Sequence, residues 1–189
     1  MLRSPSFLAL SSLVGACGPP APDDTAPVPC IDCACVAPAV EIGEGATTHA
    51  SAVPDSPATM VHGPQGGWHV LTSVGLDGLG PLVGLHLTID ADLPAHEAPV
   101  RVSDNTYRVL LTADRPCGGS YAGMYAYLNV GDLADGERDT PPELLEGVPL
   151  LVTVVARDDD GRTATGALRR RAALDPRDAG GSAAPGTGR

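Results

Sequence analysis

The fold of this chain is decided by the stretch Val83-Gly84-Leu85-His86-Leu87-Thr88-Ile89-Asp90. Large aliphatic side chains occupy every second position, and small, polar or charged residues lie between them. Successive side chains of a β-strand point to opposite faces, so this period of two predicts a strand with one buried face and one solvent-exposed face. The sequence shows no convincing helical periodicity, and a single helical turn is expected at residues 143–146.

Extended segments with related patterns lie on both sides of this stretch. They are predicted at residues 40–45, 58–62, 68–74, 100–102, 107–111, 124–130, 150–156 and 162–169. Trp68, Val70 and Val74 are expected to face the core, and residues 150–156 are apolar on both faces, as in a central strand. Turns are expected at Asp104-Asn105 and at residues 158–161. This pattern predicts an all-β protein, an immunoglobulin-like antiparallel β-sandwich of about 7–9 short strands.

The chain is acidic and poor in aromatic residues. Only 3% of its 189 residues are aromatic, and the formal net charge is −11 with a pI near 4.6. The core is therefore expected to consist of Val, Leu, Ile and Ala, with Trp68 as its main aromatic residue. Because an acidic surface is repelled by phosphates, nucleic-acid binding is excluded as a function.

The N-terminus carries an export signal. Residues 1–3 include a positive charge, and residues 7–14 form an apolar run that is too short to span a bilayer. The run ends at Val14-Gly15-Ala16-Cys17, which resembles the lipobox of bacterial lipoproteins, although that family prefers Leu where Val14 stands.

The lipobox resemblance implies a signal peptide at residues 1–16 and acyl chains, palmitate among them, on Cys17. Such chains would hold the protein on the membrane by a lipid anchor. Gly18 rather than Asp after the cysteine favours the outer membrane of a bacterial cell envelope. The alternative is ordinary signal cleavage, which leaves Cys17 as a plain thiol.

The segment after the lipobox is expected to be a tether. Residues 18–29 are rich in Pro and Asp and cannot build a core, so the lipidated cysteine and tether are placed at residues 17–37. The β-sandwich domain is expected at residues 38–174. Residues 175–189 are rich in Gly, Ala and Pro and carry charges, which predicts a disordered tail.

Four cysteines besides Cys17 are disulfide candidates: Cys30, Cys33, Cys35 and Cys117. An even number of cysteines in an exported protein predicts two disulfides. A bond between Cys33 and Cys35 would close a strained ring, so one of the three N-terminal cysteines is expected to reach Cys117. A four-cysteine zinc site, or a redox pair at Cys30 and Cys33, are the alternatives.

Two groups of side chains are candidate binding residues. Imidazoles bind zinc and copper, so His62, His69 and His86 form a candidate metal site, although no His-x-His or His-x-x-x-His spacing links them. Tyr125 and Tyr127 fall on one face of a strand and form a candidate contact surface.

The sequence contains no catalytic motif that predicts an enzyme. Gly118-Gly119-Ser120-Tyr121-Ala122 partly matches the Gly-x-Ser-x-Gly turn of serine hydrolases. Ala stands at the second glycine, so this segment is expected to be a loop beside a disulfide. Triads, paired acid and base carboxylates and cofactor motifs are not found. A non-enzymatic protein without a cofactor is therefore predicted.

A second resemblance covers about the first third of the mature chain and the closing hairpin. Its markers are Glu41-Ile42-Gly43-x-Gly45 and Gly63-Pro64-Gln65-Gly66-Gly67-x-His69. They are similar to uncharacterised lipoproteins of myxobacteria and related deltaproteobacteria, which share a lipobox, a Pro-rich spacer and a β-sandwich. The resemblance implies no activity.

Together these features predict an envelope lipoprotein with a non-catalytic immunoglobulin-like domain. This domain would bind a protein or glycan partner or have a structural role. The alternative is a zinc- or copper-binding lipoprotein that uses the three histidines near the Gly-rich turn.

Overall fold

The computed structural model describes Cys33 and residues 36–63, 67–129 and 144–176. Ten β-strands cover most of this part and confirm the all-β prediction. They are β1 (Ala39–Glu44), β2 (Ala50–Ser51), β3 (Pro57–His62), β4 (Trp68–Asp77), β5 (Leu82–Ala91), β6 (Val100–Leu110), β7 (Thr112–Arg115), β8 (Gly118–Leu128), β9 (Pro149–Asp158) and β10 (Thr163–Leu174). The count exceeds the expected 7–9 because β2 and β7 are too short to show an alternating pattern.

The strands form one hydrogen-bonded sheet that curls so that its two halves face each other. One half has the order β1-β4-β8-β7, and the other has the order β10-β9-β5-β6. Strand β3 joins the halves because it pairs antiparallel with β4 and parallel with β10. These pairings match the ABED and CFG sheets of an immunoglobulin-like sandwich, so the predicted fold class is present.

The core between the halves is aliphatic. The inward side chains of β5 are fully buried, as the alternation predicted: Val83, Leu85, Leu87 and Ile89. Val70 and Val74 of β4 are buried too. Trp68 is only partly buried at the start of β4, where its ring lies 5.1 Å from that of His62. The core is therefore held by aliphatic packing, and Trp68 covers its end.

A local prediction in β6 was wrong. The turn expected at Asp104-Asn105 lies inside β6, which runs without a break. Ser103 pairs with Ile89 and Arg101 pairs with Asp90, so Val102 is an extra residue in a β-bulge. A bulge moves the inward-facing positions of a strand by one residue. The alternation of apolar side chains is therefore interrupted in the sequence, as it would be at a turn.

Residues 150–156 were predicted to be apolar on both faces, as in a central strand, and the central position is confirmed. These residues belong to β9, which is central in its half of the sheet. However, Leu151 and Val155 are 41% and 38% exposed, because the outer face of this half is open to solvent. The predicted turn at residues 158–161 is present, and Gly161 closes it with a φ of 83°.

Gly118–Ala122 was predicted as a loop and is instead the first part of β8, paired with the end of β4. Several other predictions lie outside the described residues: the signal peptide, Cys17, most of the tether, Cys30, Cys35 and the tail beyond residue 176. In the described ranges, no helix has the length and apolar character needed to cross a bilayer.

Candidate functional site

A disulfide joins the N-terminal segment to the domain. Cys33 is bonded to Cys117, with 5.2 Å between their Cα atoms and a separation of 84 positions in sequence. Cys117 lies in the turn between β7 and β8, and its carbonyl oxygen accepts a hydrogen bond from Gly78. The bond agrees with the prediction that an N-terminal cysteine reaches Cys117. It also takes two of the four thiols that a zinc site would need.

The three candidate metal histidines lie apart. Val61 pairs with His69 and His62 pairs with Trp68, so His62 and His69 point to opposite faces of the β3–β4 hairpin. His86 lies on β5, and its Nε2 is 2.8 Å from Asp104. Among the described residues there is no group of three or more His, Cys, Asp or Glu that could hold a metal ion. The geometry therefore gives the metal-site hypothesis no support.

The two candidate contact tyrosines lie together on the outer face of β8. Tyr125 and Tyr127 are 45% and 57% exposed, and their rings are nearly parallel with centroids 6.3 Å apart. His69 lies beneath them and is only 5% exposed. Its ring centroid is 4.8 Å from that of Tyr125 and 6.1 Å from that of Tyr127. We call these three residues the tyrosine face.

Burial lowers the pKa of His69 below its ordinary value, because a desolvated imidazole resists taking up a charge. Repulsion from His62 lowers this pKa further. In the folded protein His69 is therefore neutral at pH 7, which suits a ring packed under two tyrosines.

This depressed pKa predicts a pH dependence of stability. As pH falls below the ordinary histidine value of about 6.5, unfolded chains take up a proton at His69 before folded chains do. The free energy of unfolding should therefore fall between pH 7 and pH 5, and His69→Phe should reduce that slope. Urea titrations across this range measure the slope. Tyr125→Phe is the control that should keep it, and an unchanged slope in His69→Phe would contradict the prediction.

A polar cluster that was not predicted lies farther along the same face. The Arg115 guanidinium donates to Glu41 of β1 and, at 3.1 Å, to Asp77 of β4. Ser51 also donates to Glu41. The hydrogen bond from Arg115, followed by that from Ser51, lowers the pKa of Glu41 from 4.5 to about 2.

His49 completes the cluster from the loop after β1. Its Nδ1 lies 2.9 Å from the hydroxyl of Ser73, and its Nε2 lies 3.5 Å from Glu41. Ser73 donates its proton to the Glu44 carbonyl, at 2.8 Å, so Nδ1 must be the donor to Ser73. The serine is fully buried and faces no base, because the imidazole gives it a proton instead of taking one. The hydrogen bonds of this Ser-His-Glu set join the loop after β1 to β4 and stabilise the fold.

Two strand glycines make room for this cluster. A Cβ atom at Gly43 would overlap the His49 ring, and one at Gly75 would overlap the Arg115 guanidinium. Glycine inside a strand often marks such a close approach. Gly43 and Gly75 were therefore the sequence feature from which this cluster could have been predicted. Gly43 belongs to the Glu41-Ile42-Gly43-x-Gly45 marker, which this packing explains.

Removal of Arg115 should destabilise the protein in a pH-dependent way. Arg115→Met should cost about 1 kcal/mol at pH 7, a modest value because the partner carboxylates are about 40% exposed. The pKa of Glu41 is lowered, so its contribution is present above pH 4.5 and is lost as pH falls towards 2. Chemical unfolding at pH 7 and pH 3 tests this expectation.

The matched control is Arg108→Met, because the Arg108–Asp159 pair is about 60% exposed on both sides. Such a pair contributes little, so this variant should match the wild type at both pH values. Equal losses in the two arginine variants would contradict the role assigned to Arg115.

These groups share the outer face of β4. Its outward side chains are covered in turn by the tyrosines, by His49 and by Arg115.

A scan against protein-family models found no match to this chain, and a search of curated proteins found none either.

Proposed function

We propose that this protein is a lipid-anchored protein of the bacterial cell envelope, and that its immunoglobulin-like domain binds a partner without catalysis. The lipobox at Cys17 and the Pro-rich tether support the anchor and an outer-membrane location. The tyrosine face supports the binding role. Similarity to the myxobacterial lipoproteins, which share a lipobox, a Pro-rich spacer and a β-sandwich, fits the anchor and says nothing about the binding role.

The exposed tyrosine pair is the observation that carries the binding role. The chain has four Tyr and one Trp, yet two of these tyrosines lie exposed on one face. Burial of an aromatic side chain removes about 150–250 Å² of its surface from water and stabilises the fold. Two tyrosines that stay exposed do not contribute this stabilisation. Tyrosine is enriched in binding interfaces, where a ring and a hydroxyl serve one contact.

The tyrosine pair is also held in place before any partner arrives. Tyr107 of β6 donates its hydroxyl proton to the Tyr125 carbonyl, and Asn105 accepts from the Tyr127 amide at 3.1 Å. His69 packs beneath both rings. A surface that is already ordered loses little entropy on binding, which favours affinity.

Site-directed photo-cross-linking in intact cells tests the binding role. A photoreactive phenylalanine analogue at position 125 or 127 should give covalent adducts with a partner. The control is the same analogue at Thr165, an exposed position of β10 in the other half of the sheet. Adducts of equal yield at all three positions, or none at 125 and 127, would overturn the proposal.

Metabolic labelling with palmitate tests the anchor separately. The full chain should take up label and fractionate with the outer membrane, whereas Cys17→Ser should lose the label. Label that persists in Cys17→Ser would refute this anchor.

A further inference from the structure

A groove adjoins the tyrosine face at the junction of β1 and β3. Pairing of β1 with β4 ends at Ser73, and pairing of β3 with β4 begins at Val70, which leaves an opening beside Leu71. The groove has a volume of about 460 Å³. Its lining includes Glu44, Thr59, Val61, Leu71, Arg170 and Asp175.

The groove and the tyrosine face form one continuous surface. Leu71 lies opposite Tyr125 across the β4–β8 pair, and Val61 lies opposite His69 across the β3–β4 pair. Directly opposed residues in neighbouring strands share a face of the sheet. A ligand that contacts the tyrosines can therefore extend into the groove.

Arg170 is the unusual residue of the groove. It is only 3% exposed, and it donates to Glu44 at 2.6 Å and to the Pro57 carbonyl. Its Nε has no hydrogen-bond partner among the described residues. A buried donor without an acceptor lowers stability, so an acceptor group brought into the groove would gain a hydrogen bond at this Nε.

The polar groups of the groove select an uncharged ligand that both donates and accepts hydrogen bonds. Arg170 can only donate, whereas an ionised Glu44 or Asp175 can only accept. An anion would be repelled by these carboxylates and by the net charge of −11. A cation would have to compete with Arg170 for Glu44, to which Arg170 already donates at 2.6 Å. The hydroxyl groups of a neutral sugar satisfy both kinds of partner.

The apolar groups of the same surface fit the other part of a sugar. One face of a pyranose ring carries C–H groups, which pack on the electron-rich face of an aromatic ring. Tyr125 and Tyr127 offer two near-parallel rings for such stacking, and Val61 and Leu71 continue this apolar strip into the groove.

We propose that the tyrosine face and the Arg170 groove together bind an uncharged glycan. This inference rests on the proposed binding role of the tyrosine face and names the ligand class. Tyr125 and Tyr127 stack on sugar rings, while Arg170, Glu44 and Asp175 bind hydroxyl groups.

The test uses the full chain and defined oligosaccharides. The probes are uncharged hexasaccharides of glucose, mannose, xylose and N-acetylglucosamine, with a hexasaccharide of galacturonic acid as the anionic comparison. We expect at least one uncharged probe to bind, as measured by titration calorimetry. Tyr125→Ala and Glu44→Gln should each weaken its binding by roughly tenfold or more. Thr165→Ala, on the other half of the sheet, should bind as the wild type does.

Glu44→Gln keeps the inference testable if Arg170 variants fail to fold, because Glu44 is about half exposed. Failure of every uncharged probe to bind, preference for the anionic probe, or unchanged binding in both variants would overturn the glycan inference. If photo-cross-linking at position 127 then yields a protein partner, the proposed binding role stands without the glycan. If neither the glycan titrations nor the photo-cross-linking detects binding, both the glycan inference and the proposed binding role are rejected.

Discussion

Replacing Cys33 and Cys117 together with serine should lower the free energy of unfolding by about 3–5 kcal/mol. The bond joins residues 84 positions apart, so it closes a long loop in the unfolded chain. Breaking it lets the unfolded chain adopt many more conformations, while the ten strands keep their hydrogen bonds. Urea unfolding should therefore show a lower transition midpoint.

The double variant is preferable to either single one, because a single substitution leaves a free thiol that can pair with Cys30 or Cys35. Reduction of the wild type should lower its midpoint to that of the double variant in the same reductant. If the reduced wild type, verified by mass, keeps its original midpoint, the assigned role of the Cys33–Cys117 bond is wrong.

Gly118→Ala should cost about 3 kcal/mol, at the upper end for forcing extra atoms into a packed region. An added Cβ would overlap the Leu76 carbonyl oxygen of the neighbouring strand. That atom is backbone and cannot rotate away as a side chain can. Strand β8 pairs with β4 here, one residue from Cys117, so the variant must distort this pairing to relieve the overlap.

Gly84→Ala is the matched control. Gly84 also lies inside a strand, but an added Cβ would meet its nearest neighbour, the Arg157 carbonyl, only at 3.8 Å. Alanine restricts the unfolded chain more than glycine does, so this variant should be unchanged or about 0.4–1 kcal/mol more stable. Thermal unfolding of both variants compares them directly, and equal losses would show that the overlap at Gly118 is not the cause.

The strands with strong alternation were predictable because their signal is local. Val83, Leu85, Leu87 and Ile89 lie two residues apart and face the same core whatever their partner strands are. The start of β8 gave no such signal, because Gly118 and Gly119 carry no side chain to alternate. Its strand character follows from pairing with β4, some forty residues earlier, and a single sequence does not reveal that pairing.

The candidate site was predictable only in part for the same reason. Tyr125 and Tyr127 share a face by their spacing alone, and the structure places them together. Arg115 and Glu41 are 74 residues apart in sequence. They meet only because β1 and β7 flank β4 and β8 in the same half of the sheet, so the Arg115 side chain reaches Glu41 across Gly75. The histidines of the hairpin were grouped by closeness in sequence, but strand geometry sends His62 and His69 to opposite faces.

The hydrogen bonds from β6 to β8 also bear on how these molecules behave when crowded. An open strand edge is a template for pairing with another chain, and it promotes aggregation. Asn105 and Tyr107 occupy backbone groups of β8 beside the tyrosine pair, and the Asn129 amide donates to Val102 at 2.7 Å. Neighbouring copies at high density are thereby denied the edge of β8 beside the tyrosine pair, so the two exposed aromatic rings do not adjoin an open strand edge there.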